Sequence, residues 1–288
     1  MSASPPPDSP PPDSPPPGIV TRLRAAGCVF AEDEARLLVA AARTPADLAA
    51  LVDQRVAGLP LEHVLRWAEF CGLRIAVDPG VFVPRRRTEF LVRQAAARTR
   101  PRAVVVDLCC GSGALGAALA ALAAAQGEVE LHAADIDPAA VACARRNIGA
   151  TRGQVARGQV YQGDLYEPLP AALAGRVDVL LANVPYVPSQ EVGLLPPEAR
   201  VHEARVALDG GADGLDVLRR VSAAAARWLA PGGHLLFETS ERQASLATDI
   251  VARDGLIAQV ASSDELNATV LIATRPPGRS GGRPPTSP

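Results

Sequence analysis

The sequence predicts an α/β domain, doubly wound around a mostly parallel sheet. Three observations predict it. Short continuous apolar runs such as Ala103-Val104-Val105-Val106-Asp107-Leu108 alternate with helix-patterned segments. Runs of this kind suit strands buried on both faces. Several end at a glycine turn, an acid or an amide, where open α/β sheets bind ligands.

In chain order, residues 1–17 repeat Pro-Pro-Asp-Ser-Pro-Pro-Pro, which cannot bury a core and is expected to be a disordered or polyproline-II tail. Residues 18–64 are read as a small helical domain for substrate recognition or packing. Ala31-Glu32-Asp33-Glu34 opens a helix carrying Ala35, Leu38, Val39 and Ala42 at helical spacing. Thr44-Pro45-Ala46-Asp47 supplies an N-cap, a proline at the first helical position and an acidic first turn. Over 65–84 the period changes to two, with Leu73, Ile75 and Val77 alternating before a turn at Asp78-Pro79-Gly80, so a linking β-hairpin is expected.

The main domain is assigned to 85–275. A helix over Phe90 to Arg98 precedes the first strand, and Cys109-Cys110-Gly111-Ser112-Gly113 follows that strand. Further strands are expected at Val129 to Ala134, Val160 to Asp164, Val177 to Ala182 and His234 to Glu238, with Ile257 to Ala261 and Thr269 to Ala273 as a closing antiparallel pair. Helices are expected from Pro138 to about Ile148 with Asp137 as cap, from Leu215 to Leu229, and from Arg242 to Arg253; Val187 to Gly214 reads as a long loop. Residues 276–288 form a second disordered tail.

Composition excludes several classes. Hydrophobic residues make up 48% of the 288 but aromatics only 3%, so the core is built of Ala, Leu and Val. All 29 basic residues are arginine, a pattern of coding bias, and the net charge of −2 does not suit a dedicated nucleic-acid binder. Five cysteines without C-x-x-C spacing read as reduced thiols, and four scattered histidines give no metal pattern. No stretch is apolar enough for a bilayer span, and the N-terminus does not resemble a signal peptide. A soluble cytoplasmic monomer without direct nucleic-acid or membrane partners is expected.

Gly111 and Gly113 permit a sharp turn and close approach of a ligand, and Asp135 ends the next strand, where a carboxylate accepts hydrogen bonds from ribose hydroxyls. Gly111-Ser112-Gly113-Ala114-Leu115-Gly116 satisfies the dinucleotide fingerprint literally. Yet Asp107 through Gly113 resembles the methyltransferase pattern of an acid followed by Gly-x-Gly-x-Gly, with Cys109 at the first glycine. That resemblance implies S-adenosylmethionine as cofactor, bound by Asp107, Cys109, Cys110, Gly111, Ser112, Gly113, Asp135 and Asn183, with Asp164 and Leu165 at the adenine edge.

The fourth strand stops at Asn183-Val184-Pro185-Tyr186, which resembles the Asn-Pro-Pro-Tyr motif of enzymes that methylate planar nitrogens. A carboxamide nitrogen is a poor nucleophile because its lone pair is delocalised. The Asn183 side-chain oxygen and the Val184 carbonyl can each accept one N–H of a target NH₂, aiming the lone pair at the methyl donor. Such alignment supplies up to about 7–11 kcal/mol of a barrier. Tyr186 would stack on the planar target.

From about Arg55 to Arg275 the chain resembles the HemK/PrmC glutamine methyltransferases. Gly58-Leu59-Pro60-Leu61-Glu62-His63, Glu69-Phe70-Cys71-Gly72-Leu73, Val83-Pro84-Arg85 with Thr88-Glu89, and the loop Ala207 to Leu215 carry the match. The resemblance implies a seven-stranded Rossmann-like class I methyltransferase sheet. It also implies transfer to a protein glutamine, such as that of the Gly-Gly-Gln loop of a peptide-chain release factor. Departures cluster on the substrate side: Val184 for Pro, Arg86 and Arg87 for Pro and Glu, Ala204 for Pro, Glu238-Thr239-Ser240 for Glu-Ile-Gly, and Asn267-Ala268 for a charged pair. Two other readings stay open: methylation of an exocyclic amine in DNA or RNA, and cofactor binding without transfer.

Overall fold

The computed structural model describes residues 15–151 and 153–277. Most of both expected tails lies outside these; Pro17 already begins the first helix.

Helices α1 (Pro17–Ala25), α2 (Ala31–Ala41), α3 (Pro45–Val56) and α4 (Leu61–Leu65) bury Leu23, Ala35, Leu38, Val52 and Val64 in a cluster of their own. Thr44 caps α3 by accepting the Asp47 N–H at 3.1 Å. The cluster also buries charge. Arg55 on α3 donates to Glu34 on α2 (2.6 Å), to the Leu59 carbonyl (3.0 Å) and to Glu198 (2.6 Å), which belongs to the sheet domain.

Strands β1 (Trp67–Phe70) and β2 (Leu73–Ala76) form the hairpin, and its two-residue turn, Cys71-Gly72, takes positive φ at both positions. Alternation puts Ala68, Phe70, Ile75 and Val77 into the main core, so the hairpin is part of the sheet domain's packing as well as a connection. Asn147 fixes it there: it accepts the Ala76 N–H and donates to the Ala76 and Ser112 carbonyls, all within 2.9 Å.

After α5 (Glu89–Ala96) come β3 (Val104–Leu108), α6 (Ala114–Ala123), β4 (Val129–Asp135), α7 (Pro138–Ala150), β5 (Val155–Gln162) and β6 (Val177–Ala182). The chain continues through α8 (Pro197–His202), α9 (Asp216–Trp228), β7 (Leu229–Thr239), α10 (Glu241–Arg253), β8 (Ile257–Ser263) and β9 (Ala268–Thr274). The sheet order is β5-β4-β3-β6-β7-β9-β8. The first five strands run parallel, and β9 is antiparallel to both neighbours. Successive residues serve opposite faces: Val105, Leu131 and Leu181 pack with α5 and α6, whereas Val106, Leu180 and Phe237 pack with α9 and α10. The winding reverses between β3 and β6, which opens a crevice beyond their carboxyl ends.

Three segments differ from the sequence reading. Strand β5 starts at Val155 rather than Val160 and ends at Gln162; as an exposed edge strand rich in polar residues it carries no apolar run. Strand β7 begins at Leu229 and takes Pro231-Gly232-Gly233 as a bulge, so Val177 pairs with Leu229 but Val179 with His234. The long loop contains helix α8 and two parallel bridges, Gly80 with Glu203 and Val187 with Asp209, which fold it back over the crevice.

Arg55 is 8% exposed and its partner Glu34 11%. Removing one member of a buried pair leaves the other unpaired. Arg55→Ala is therefore expected to destabilise the chain by about 3–5 kcal/mol in urea denaturation.

Candidate functional site

The crevice holds a cavity of about 390 Å³, and its lining divides into two sides, or arms. One lies over the ends of β3, β4 and β5. The other runs from Asn183 under the folded-back segment that contains α8.

In the first arm the loop after β3 is shaped by its backbone. Gly111 and Gly113 have φ of 53° and 76°, and a Cβ at Gly113 would stand 3.0 Å from that of Ala144. Cys109 also sits in the left-handed region, at φ 53°, the conformation that favours glycine. Burial, reinforced by Asp135, pushes the thiols of Cys109 and Cys110 well above the usual range, so both are neutral and poor nucleophiles. Buried Ser112 offers its carbonyl to Asn147.

Asp135 accepts the Gly111 N–H at 2.8 Å and the Asp137 N–H at 2.9 Å. Asp137 caps α7 through the Ala139 N–H. Ile136 projects into the cavity with half its surface exposed, an uncovered apolar wall beside an acid. Leu165 and Val217 supply further apolar lining, and Asp164 pairs with Arg220 at 2.6 Å. An apolar slot, a carboxylate for a diol and a narrow glycine cradle, with more acids than bases around them, fit a cationic nucleoside sulfonium.

In the second arm Asn183 and Val184 line the cavity after β6, although Val184 as a whole is only 2% exposed and its side chain belongs to the core. Tyr186 is held from both ends. Its hydroxyl donates to Glu238 at 2.8 Å and accepts from Arg87 at 2.5 Å, and its carbonyl accepts from Gln243 at 3.0 Å. Buried Glu238 also receives Arg87 Nε (2.7 Å) and the Thr88 hydroxyl (2.6 Å). Burial, reinforced by the Glu238 charge, pushes the Tyr186 phenol up, so it stays a donor. Pro185 lines the cavity as well.

All the site residues expected from the sequence line this cavity except Asp107 and Gly113, which are buried and not part of its lining. Sequence reading missed Phe82, Arg220 and Gln243, which carry no local signal. Arg87 was visible only as a departure from the family pattern, and Glu238 only as the retained acid of a segment whose next two residues depart from it. Arg86 lines a separate polar groove with Glu69, Glu89 and Arg93. Among the described residues no group of three or more His, Cys, Asp or Glu is placed to hold a metal, and no helix is long and apolar enough to cross a membrane.

Asp107 is fully buried; one oxygen accepts the Gly116 N–H at 2.9 Å and the other has no partner among the described residues. Burial pushes its carboxyl up to about 7, against the Gly116 N–H and with the Asp135 charge. A carboxyl raised on folding favours the protonated native form. Its contribution is complete below the ordinary carboxylate range and is lost as pH climbs to 7. This group alone should lower stability by up to about 1.4 kcal/mol per pH unit across that window. Asp107→Asn, with no proton to exchange, should flatten that component when both proteins are unfolded in urea between about pH 4.5 and 7.

Residues 72–215 match the methyltransferase small domain family. The chain is 38% identical over 214 residues to the release factor glutamine methyltransferase of Geobacter sulfurreducens, covering 73% of this chain and 72% of that protein. It is 35% identical over 235 residues to the 4-amino-L-phenylalanine/4-methylamino-L-phenylalanine methyltransferase of Streptomyces pristinaespiralis, covering 78% and 76%. A solved methyltransferase from Pyrococcus furiosus shares the fold, with a TM-score of 0.53 at 16% identity over 79% of this chain and 98% of that one. The loop, the strand-end acids and the Asn-x-Pro-Tyr turn thus stand in a known setting: the chain belongs to the HemK/PrmC-type family of S-adenosylmethionine-dependent methyltransferases, that of the release factor glutamine methyltransferases.

Proposed function

We propose that this chain methylates the side-chain amide nitrogen of a glutamine in a protein substrate. The observation that carries the reading is that Asn183, Val184, Pro185 and Tyr186 follow directly on β6 and line the same cavity as the loop after β3 and the end of β4.

Bound S-adenosylmethionine supplies an electrophilic methyl group. Asp135 would accept its ribose hydroxyls, the Cys109 to Gly113 loop would follow its methionine side with Asp107 bracing the turn, and Asp164 and Leu165 would meet the adenine. Asn183 Oδ1 and the Val184 carbonyl would each accept one N–H of the target, fixing its plane and directing the nitrogen lone pair. Tyr186, held by Glu238 and Arg87, would form the stacking wall. Glu238 is fully engaged by Tyr186, Arg87 and Thr88, so it is not placed to act as a base. None is needed, because the alkylated nitrogen is acidic enough to release its proton to water.

Residues 18–64 are read as the substrate-recognition domain and the chain as a monomer. Release factors are the first substrate to test, because the relatives at similar identity carry that name. A second reading has its own support. The Streptomyces relative is named for aromatic amines, whose nitrogen lone pair is delocalised like that of an amide and which an Asn-x-Pro-Tyr turn could orient through one N–H or two.

The test incubates the chain and Asn183→Ala with methyl-labelled S-adenosylmethionine and, separately, a release factor, 4-amino-L-phenylalanine, nucleic acid and a cell extract. Label is expected on a protein glutamine, and Asn183→Ala should lose at least about 10²-fold in rate through misalignment. Label confined to the arylamine or to nucleic acid would overturn the glutamine reading.

A further inference from the structure

Arg220 has no part in the chemistry described above, yet it lines the cofactor arm and its guanidinium holds the acid at the far end of that arm. Its Nη2 donates to Asp164 Oδ2 at 2.6 Å, and Asp164 has no other side-chain hydrogen bond among the described residues.

The two residues sit on segments that are themselves locked together. The turn after β5 continues into Tyr166, whose hydroxyl donates to the Val221 carbonyl on α9 at 2.9 Å and whose ring stacks on Trp228. Gly163 N donates to the Asp135 carbonyl at 2.9 Å, joining the start of the same turn to the end of β4. On α9, Val217 and Arg220 are three residues apart and share the face turned to the cavity. The distance between the Asp164 and Arg220 backbones is therefore set by packing, and their ion pair closes a frame that already exists.

We propose that Arg220 is a positioning residue that sets the base specificity of the cofactor arm. It engages one oxygen of Asp164 and turns the carboxylate so that the other is presented to the exocyclic amino group of a purine. A carboxylate so held accepts from an amino group and repels a carbonyl oxygen at the same place, so the arm takes adenine and rejects a 6-oxopurine. The inference rests on the placement of the adenine at Asp164 in the reading above.

Calorimetric titration of the full chain with S-adenosylhomocysteine and with S-inosylhomocysteine, which carries oxygen in place of the amino group, tests it. The wild-type chain is expected to prefer the adenine form by at least about tenfold, since a site built to accept an N–H leaves its acceptor unpaired with the analogue. Arg220→Ala should cut that preference to about two- to threefold with little change for the inosine form. Arg220→Lys should restore part of it, because a point charge reaches one oxygen without the planar fork. Arg220 is about half exposed, so its substitution leaves the core intact. An unchanged preference in Arg220→Ala, or an equal weakening of both ligands, overturns the proposal. Asp164→Ala separates it from its foundation. Preference lost there but intact in Arg220→Ala rejects Arg220 alone, whereas preference intact in Asp164→Ala, or absent in the wild type, rejects the adenine placement itself.

Discussion

Asp135 ties the loop after β3 and the start of α7 to the end of the β4–β5 pairing. Its carboxylate takes the Gly111 N–H from the loop after β3 and the Asp137 N–H at the start of α7. Its own carbonyl takes the Gly163 N–H from the turn after β5. Remove that carboxylate and the glycine loop and the helix start lose their common reference, while the turn after β5 keeps its bond to the backbone. Burial raises the Asp135 carboxyl above the ordinary carboxylate value, and the donated N–H groups oppose that rise without cancelling it. The N–H groups that shape the loop and the helix start are thus also the ones that favour its charged form.

The second arm reaches rigidity by another route. Proline at position 184 would fix one backbone angle locally; Val184 instead buries its side chain in the apolar cluster on the α9 and α10 face of the sheet. The turn after it is fastened at Tyr186 by Glu238, Arg87 and Gln243, and at Val187 by backbone bonds to Leu208 and Gly210. A change that looks like loss of stiffness is set within side-chain and backbone ties. The arginine that replaces an acid at position 87 is one of them.

Much of this was legible in the sequence for physical reasons. Buried parallel strands must be apolar throughout, so β3, β4 and β6 announced themselves, and the residues at their ends were those a nucleoside needs. Edge strand β5 buries little and showed only its last residues. The bulge in β7 hid behind a Pro-Gly-Gly that reads equally well as a turn. Helix α8, within a stretch read as loop, is short, and its position depends on Glu198 and Glu203 meeting arginines far away in the chain. The pairing of Arg87 with Glu238 spans 151 positions. No local pattern distinguishes such an arginine from its solvated neighbour Arg86; only the fold that brings the two segments together does.

The reach of Arg55 from the helical cluster to Glu198 has a consequence for how the molecule comes apart. Glu198 stands on α8, and Glu203 at the end of that helix is held by Arg85 and the Val83 N–H. The cover of the cavity is thus pinned at one end by a charge that the helical cluster must keep buried and at the other by the connector after the hairpin. Opening the cluster exposes Arg55 to water and frees Glu198 in the same event. Unfolding of the four N-terminal helices therefore removes one of the ties of the cover over the methyl-transfer crevice, although the two are distant in sequence and have separate apolar cores.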